Sequence, residues 1–148
     1  MDLHFESVNP NNIKQVENLR VNPSQTSYIE TVHECILDSK KEEGWKTVGI
    51  YDNQTLVGFA MYGYVDGTSS KEAWLDRLLI DKKFQSKGYG KRAILKLLKI
   101  MKKEYNTDKV YLSVYDSNKV AIKLYQKLGF KFNGKYDING EKIMAYEF

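Results

Sequence analysis

Cysteine is nearly missing from this chain of 148 residues: Cys35 is the single thiol, so no internal disulfide can form. With only two histidines beside it, the chain offers no credible set of metal ligands, and none is expected. Proline is as scarce, at two residues. No apolar run approaches the roughly 20 residues that span a bilayer. The opening Met1-Asp-Leu-His-Phe-Glu6 lacks the basic-then-apolar layout of a secretory leader. These absences lead to the expectation of one cytoplasmic domain over residues 1–148, with no membrane contact. The hydrophobic content of 42% suffices for a core of ordinary size.

Acidic residues are absent from one place in particular. Residues 82–103 carry nine Lys/Arg and no Asp/Glu. The formal net charge of +4 therefore hides a remainder with fourteen basic and nineteen acidic residues, a net of −5. A lysine-rich solvated face is one reading. An anion site in one region and room for a cation in another is the second. Nucleic acid is not an expected partner, because the basic residues sit on one helix without interleaved aromatics or zinc-finger spacing.

Periodicity predicts the order β-α-α-β-β-β-α-β-α-β-β, an α/β (α+β) domain with a mixed, largely antiparallel sheet. The first strand includes Leu3 and Phe5. A short helix carries Ile13, Val16 and Leu19 and ends before Pro23. A second is predicted from Ser24 to about Lys40, with an acidic stripe of Glu30, Glu34 and Asp38. Strands follow at Trp45–Tyr51, Leu56–Tyr64 and Trp74–Ile80. A long helix from about Gly88 to Lys103 turns Ile94, Leu97, Leu98 and Met101 inward. Val110–Tyr115 alternates as a strand. The helix Asn118–Leu128 is stopped by Gly129. Two last strands, about Phe130–Ile138 and Glu141–Tyr146, flank the turn signal Asn139-Gly140.

The stretch Gln85-x-x-Gly88-x-Gly90 stands between a strand and the long helix. Glycines at a helix start leave backbone N–H groups uncovered, and the helix dipole adds partial positive charge, so the place suits a phosphate. It is not a dinucleotide fingerprint in its usual setting, since seven residues separate Ile80 from Gly88. No Gly-Lys-Ser/Thr closes it as a P-loop.

A second constellation, Asn118-x-x-Ala121-x-x-x-Tyr125-x-x-x-Gly129-Phe130, follows the Val110–Tyr115 strand. Together the two motifs resemble the GCN5-related N-acetyltransferase (GNAT) superfamily, over essentially the whole chain. The segments Ser27-Tyr-Ile-Glu30, Val57-Gly-Phe-Ala-Met-Tyr-Gly63, Trp74-Leu-Asp-Arg77, Leu124-Tyr-Gln126 and Asn139-Gly-Glu-Lys142 look like those of bacterial spermine/spermidine N-acetyltransferases. The resemblance implies the GNAT fold, a seven-stranded sheet flanked by four helices. It also implies acetyl-CoA as cosubstrate, a polyamine acceptor attacked directly in a ternary complex, and a homodimer as the assembly of many relatives. Transfer to a protein N-terminus or another small amine is the alternative within the class. A non-catalytic acyl-CoA sensor is the alternative outside it.

By this resemblance the main chain of Leu78, Leu79 and Ile80 meets the pantetheine arm, and a backbone N–H there polarises the acetyl carbonyl. The pyrophosphate would lie against Ser86, Lys87, Gly88, Tyr89, Gly90 and Lys91, with Gln85 nearby. Asn118 would also hold the pantetheine arm. Tyr125 matches the tyrosine that protonates the leaving thiolate. The acceptor, with a pKa near ~10.4, arrives as ammonium and needs a base. Asp76 matches a glutamate given that role in related diamine acetyltransferases. A structural ion pair with Arg77 is the competing reading. Tyr28 and Glu30 match the acceptor pocket, with Tyr62 as an aromatic wall and Glu34, Asp137 and Glu141 as weaker acidic candidates. A covalent acetyl-Cys35 is not expected, because His33, two residues away on a helix, does not face it.

Overall fold

Alternation of apolar side chains builds most of a seven-stranded sheet in this computed structural model, which describes residues 2–26 and 30–148. The strands are β1 Leu3–Ser7, β2 Trp45–Asp52, β3 Thr55–Asp66, β4 Lys71–Ile80, β5 Lys109–Val114, β6 Lys131–Tyr136 and β7 Lys142–Glu147. Their order across the sheet is β1-β2-β3-β4-β5-β7-β6. Every neighbouring pair is antiparallel except β4 with β5. That parallel pair needs a crossover, and the helix α3 Tyr89–Tyr105 supplies it. The expected mixed sheet with four helices is the one observed.

The helices cover the two faces unequally. Helices α1 Ile13–Glu17 and α2 Val32–Ser39 lie on one face, where Val16, Leu19, Val32, Cys35 and Ile36 pack with Phe59, Met61 and Leu79. On the other face α3 and α4 Lys119–Leu128 bury Ala93, Ile94, Leu97, Leu98, Met101 and Ile122 against Ile50, Val57, Ala60, Leu75, Val110 and Leu112. The inward row read on α3 is thus the observed one. Fully burying a side chain of this size contributes about 1.5–3 kcal/mol.

Three expectations need correction. Residues Pro23–Gln25 form a 3-10 turn, and α2 begins at Val32 rather than Ser24. The reason is a capping box: Thr31 Oγ1 accepts from the Glu34 N–H at 3.2 Å, and Glu34 Oε1 accepts from the Thr31 N–H at 3.0 Å. The last hairpin turns over Asp137–Glu141, more than the two residues Asn139 and Gly140. Asp137 Oδ1 accepts the N–H groups of Asn139 and Glu141, both at 2.9 Å. Finally, simple alternation along β4 fails. Met61 pairs with Arg77 and Tyr62 with Leu75, leaving Asp76 as the extra residue of a bulge. Leu75 and Leu78 therefore face the same core, and Trp74 does not share the side of Leu78.

Candidate active site

The parallel partners β4 and β5 stay together for two residue pairs only, Ala73 with Val110 and Trp74 with Tyr111. Beyond them the strands splay. Among the described residues, no strand pairs with the β5-facing edge of residues 76–80, so a sheet edge of bare peptide groups opens inside the molecule. A cleft of about 730 Å³ fills this splay, lined by residues 75–80 of β4 and 112–115 on the β5 side. It continues under the start of α3, past Ser86, Gly88, Tyr89, Gly90 and Lys91, and along α4 past Asn118, Ala121, Leu124 and Tyr125.

The α3 end is built for an anion. Gly88 is the N-cap, in the left-handed region at φ +86°, and no side chain caps the helix. The N–H groups of the first turn thus lack intrahelical partners. A Cβ placed on Gly88 would meet nothing within 4 Å, and one on Gly90 only Ile80 Cγ1 at 3.9 Å. The glycines are not demanded by packing; they keep the cleft floor bare. Ser86 also stands at positive φ, +63°. Lys91 and Arg92 occupy the first turn with no acidic residue there. Cations at this positive helix end cost about 0.3–1 kcal/mol each unless an anion offsets them.

The opposite end is acidic. Arg77 spans two carboxylates, with Nη1 2.6 Å from Asp76 Oδ2 and Nη2 2.7 Å from Glu30 Oε1. The partners respond differently. Burial pulls the guanidinium down, but Asp76 and Glu30 more than offset it, and Arg77 stays charged. Burial pushes the Asp76 carboxyl up, and Arg77 only partly restores it. The attraction is real, and desolvation is its cost. Glu30 is likewise raised by burial and by its hydrogen bond with Asp38. Glu141 is pushed up to about 7 by burial first and then by Asp137. Tyr125 is pushed up to about 12 by burial alone, so its phenol keeps its proton at neutral pH.

Most residues singled out in the sequence meet here. Leu78, Leu79, Ile80, Gln85, Ser86, Gly88, Tyr89, Gly90, Lys91, Asn118, Glu30, Asp76 and Tyr125 all line the one cleft. Asn118 Oδ1 also caps α4, accepting from the Ala121 N–H at 3.4 Å. Gln85 does not offer its amide to the cleft floor. Its Nε2 donates to Ile80 O and Gln25 Oε1, both at 2.9 Å, and its Oε1 accepts from Asn22 at 2.8 Å. Lys87 is exposed and is not a lining residue. Tyr62 is a correction: it is buried on the α3 face, packed in the core, and does not line the cleft. It alternates along β3 with Ala60 and Tyr64 on the side that α3 and α4 cover, while the cleft opens between β4 and β5. Tyr28 lies outside the described residues. Glu34 lines the cleft but is spent on the capping box. Burial pushes the Cys35 thiol up to about 12, which leaves no thiolate at neutral pH. Among the described residues, no cluster of three or more His, Cys, Asp or Glu could hold a metal.

Two participants were undervalued in the sequence. In the sequence Arg77 stands out only as a neighbour of Asp76, yet it bridges to Glu30, 47 residues away. Asp81 was not singled out at all. It is buried at 8% exposure, and its carboxylate accepts from the Arg20 and Lys83 N–H groups at 3.0 and 2.9 Å. Asp81 and Gln85 lace the segment after α1 onto the loop before α3.

Comparison with known proteins matches residues 13–130 to the acetyltransferase (GNAT) family model. The chain belongs to the GNAT family of acetyltransferases. It is 40% identical over 151 residues to the spermine/spermidine N(1)-acetyltransferase of Bacillus subtilis, covering 99% of both proteins. Its fold is similar to the PaiA N-acetyltransferase of Thermoplasma acidophilum solved with coenzyme A, at TM-score 0.72, 21% identity and full coverage of both chains. It is equally similar to the spermidine N-acetyltransferase of Vibrio cholerae solved with CoA and spermine, at TM-score 0.72 and 21% identity, covering 97% and 92% of the chains. This GNAT chain is an acetyltransferase, and acetyl-CoA is its cosubstrate. Its bare helix start and splayed edge fit such a molecule: N–H groups for the pyrophosphate and a peptide edge for the pantetheine amides.

Proposed function

We propose that this acetyltransferase acetylates a primary amine of a polyamine, spermine or spermidine, by direct attack within a ternary complex. One observation carries the reading: the acceptor end of the cleft is walled by Glu30, Asp76 and Glu141, with Asp38 and Asp137 behind them. Such a wall suits a chain of ammonium groups and repels acidic or phosphorylated acceptors. Acetyl-CoA supplies an activated acyl group as a thioester. The residues of this chain do the rest. Backbone N–H groups of the Leu78–Ile80 edge orient the acyl carbonyl, and those of Ser86–Lys91 take the pyrophosphate. Asn118 sits where the pantetheine arm would pass. The half-buried Tyr125 phenol holds a proton for the departing sulfur. The 40% identity to a spermine/spermidine acetyltransferase supports the acceptor class.

The test is free-CoA release with acetyl-CoA across spermine, spermidine, putrescine and a panel of peptides with free N-termini. Spermine and spermidine are expected to give the highest kcat/KM. Preference for a peptide would replace the acceptor. Acetyl-CoA binding without turnover of any amine would make the chain a sensor.

A further inference from the structure

Resting on the reading that the acceptor is an amine, we propose that Glu141, on the last hairpin, takes the proton from the acceptor ammonium, and that Asp76 positions the site instead. Elimination among the acidic groups of the cleft singles Glu141 out. Among the described residues, four carboxylates line the cleft: Glu30, Glu34, Asp76 and Glu141. Glu34 accepts from both the N–H and the hydroxyl of Thr31, which hold its carboxyl below the usual range. Asp76 and Glu30 are each bound to the same Arg77 guanidinium, at 2.6 and 2.7 Å. Burial raises both, but each must give up its ion pair with a permanent cation to accept a proton, and Arg77 opposes that step in both.

Glu141 is different. Among the described residues it has no ion pair, and its close companion is another carboxylate. Asp137 is fixed by the turn itself, its Oδ1 holding the N–H groups of Asn139 and Glu141. Its charge therefore faces Glu141 from the same hairpin. From β4, Asp76 adds repulsion and Arg77 opposes it, while burial contributes most. The neighbouring Lys142 is turned away to Asp116, at 3.2 Å. The balance leaves Glu141 near 7, where a base is half ionised and still basic enough to accept a proton at neutral pH.

The proton count closes. Glu141 takes one proton from the ammonium, freeing the nitrogen lone pair. That pair forms the C–N bond while the C–S bond breaks. The sulfur leaves with the pair and receives the Tyr125 proton, and the second nitrogen proton restores Tyr125 directly or through solvent. Glu141 then releases its proton to solvent, so one proton is liberated for each N-acetyl group formed.

The experiment is the pH dependence of kcat/KM for the preferred polyamine in wild type, Glu141→Gln, Glu141→Asp and Asp76→Asn. The wild-type rate should rise with pH through about 7, because only the ionised base works. Glu141→Gln should lose that limb and fall by roughly 10²–10⁴-fold in kcat. Glu141→Asp should keep the limb at a lower rate, and Asp76→Asn should keep it too. Wild-type acetyl-CoA affinity in each variant checks folding. Carbon NMR titration of labelled glutamate in the wild type should find one carboxyl near 7 that disappears in Glu141→Gln. A limb that survives in Glu141→Gln, or vanishes only in Asp76→Asn, overturns the assignment. So does a Glu141→Gln enzyme changed in KM alone. Failure of every amine to turn over would instead overturn the proposed function, separately from this step.

Discussion

Replacing Gly90 by alanine should stabilise the free protein while weakening acetyl-CoA binding. Gly90 is the second residue of α3 and has ordinary helical geometry; it is not among the residues at positive φ. Its missing Cβ would touch only Ile80 Cγ1, at 3.9 Å, an unstrained contact. Alanine in a helix is favoured over glycine by about 1 kcal/mol, somewhat less in the first turn. For a chain of this length that predicts a Tm rise of roughly 1–4 °C without ligand. The new methyl group also projects onto the bare N–H surface. Losing one charge-assisted hydrogen bond to an anion there costs about 1.5–3 kcal/mol, or roughly 10- to 150-fold in Kd. Thermal unfolding without ligand and calorimetric titration with acetyl-CoA read the two effects separately. Gly88→Ala is the contrast: at φ +86° alanine pays about 1–2 kcal/mol of backbone strain, so both quantities should fall. Wild-type acetyl-CoA affinity in a stabilised Gly90→Ala protein would refute the placement of the pyrophosphate. A loss of unliganded stability would refute the account of why glycine is there.

Tyr125→Phe should lower kcat by about 10²-fold and leave the polyamine KM nearly unchanged, since the phenol is asked to act only as the bond to sulfur breaks. Undiminished turnover in steady-state assays would remove Tyr125 from the proton path. Asp81→Ala should cost about 1–3 kcal/mol, because the Arg20 and Lys83 N–H groups lose their acceptor. It should also raise the KM for acetyl-CoA by loosening the loop before α3; an unchanged Tm would show that the two hydrogen bonds contribute nothing.

What the sequence displayed well was local. The row Ile94, Leu97, Leu98 and Met101, the Gly129 stop and the glycine motif are each written within a few residues, where a 3.6 period or a cap decides the outcome. The start of α2 was equally local, yet Pro23 drew attention to Ser24 and away from the Thr31-x-x-Glu34 signature that wins. Tyr62 illustrates the other kind of failure. Its side follows plain alternation with Ala60 and Tyr64, but that this side is the one α3 covers, away from the cleft, is not written in residues 57–63. The bridge from Arg77 to Glu30 joins positions 47 residues apart on different elements. For the same reason sequence alone does not rank Glu141: the other lining carboxylates are held by Arg77 or by the capping box, whereas its companion is another carboxylate, Asp137.

The segregated charge read from the sequence has a physical cost at both ends of the cleft, and the cost argues for the acceptor. Lys91 and Arg92 sit against a positive helix end. At the other end Arg77 bridges Glu30 and Asp76, Glu141 lines the same wall, and Asp38 and Asp137 stand behind; the raised Glu30, Asp76 and Glu141 show the strain of burial and of crowding among like charges. A monocation such as a peptide N-terminus offsets one of the charges that Arg77 leaves over. A polyamine brings several along one flexible chain, at a spacing that reaches more than one carboxylate. Binding such a chain would offset the repulsion from Asp137 and Asp76 that adds to the effect of burial on Glu141, and so favour its ionised form. If the acceptor is the proposed polyamine and the base the proposed Glu141, the substrate itself therefore helps to ionise the group that deprotonates it.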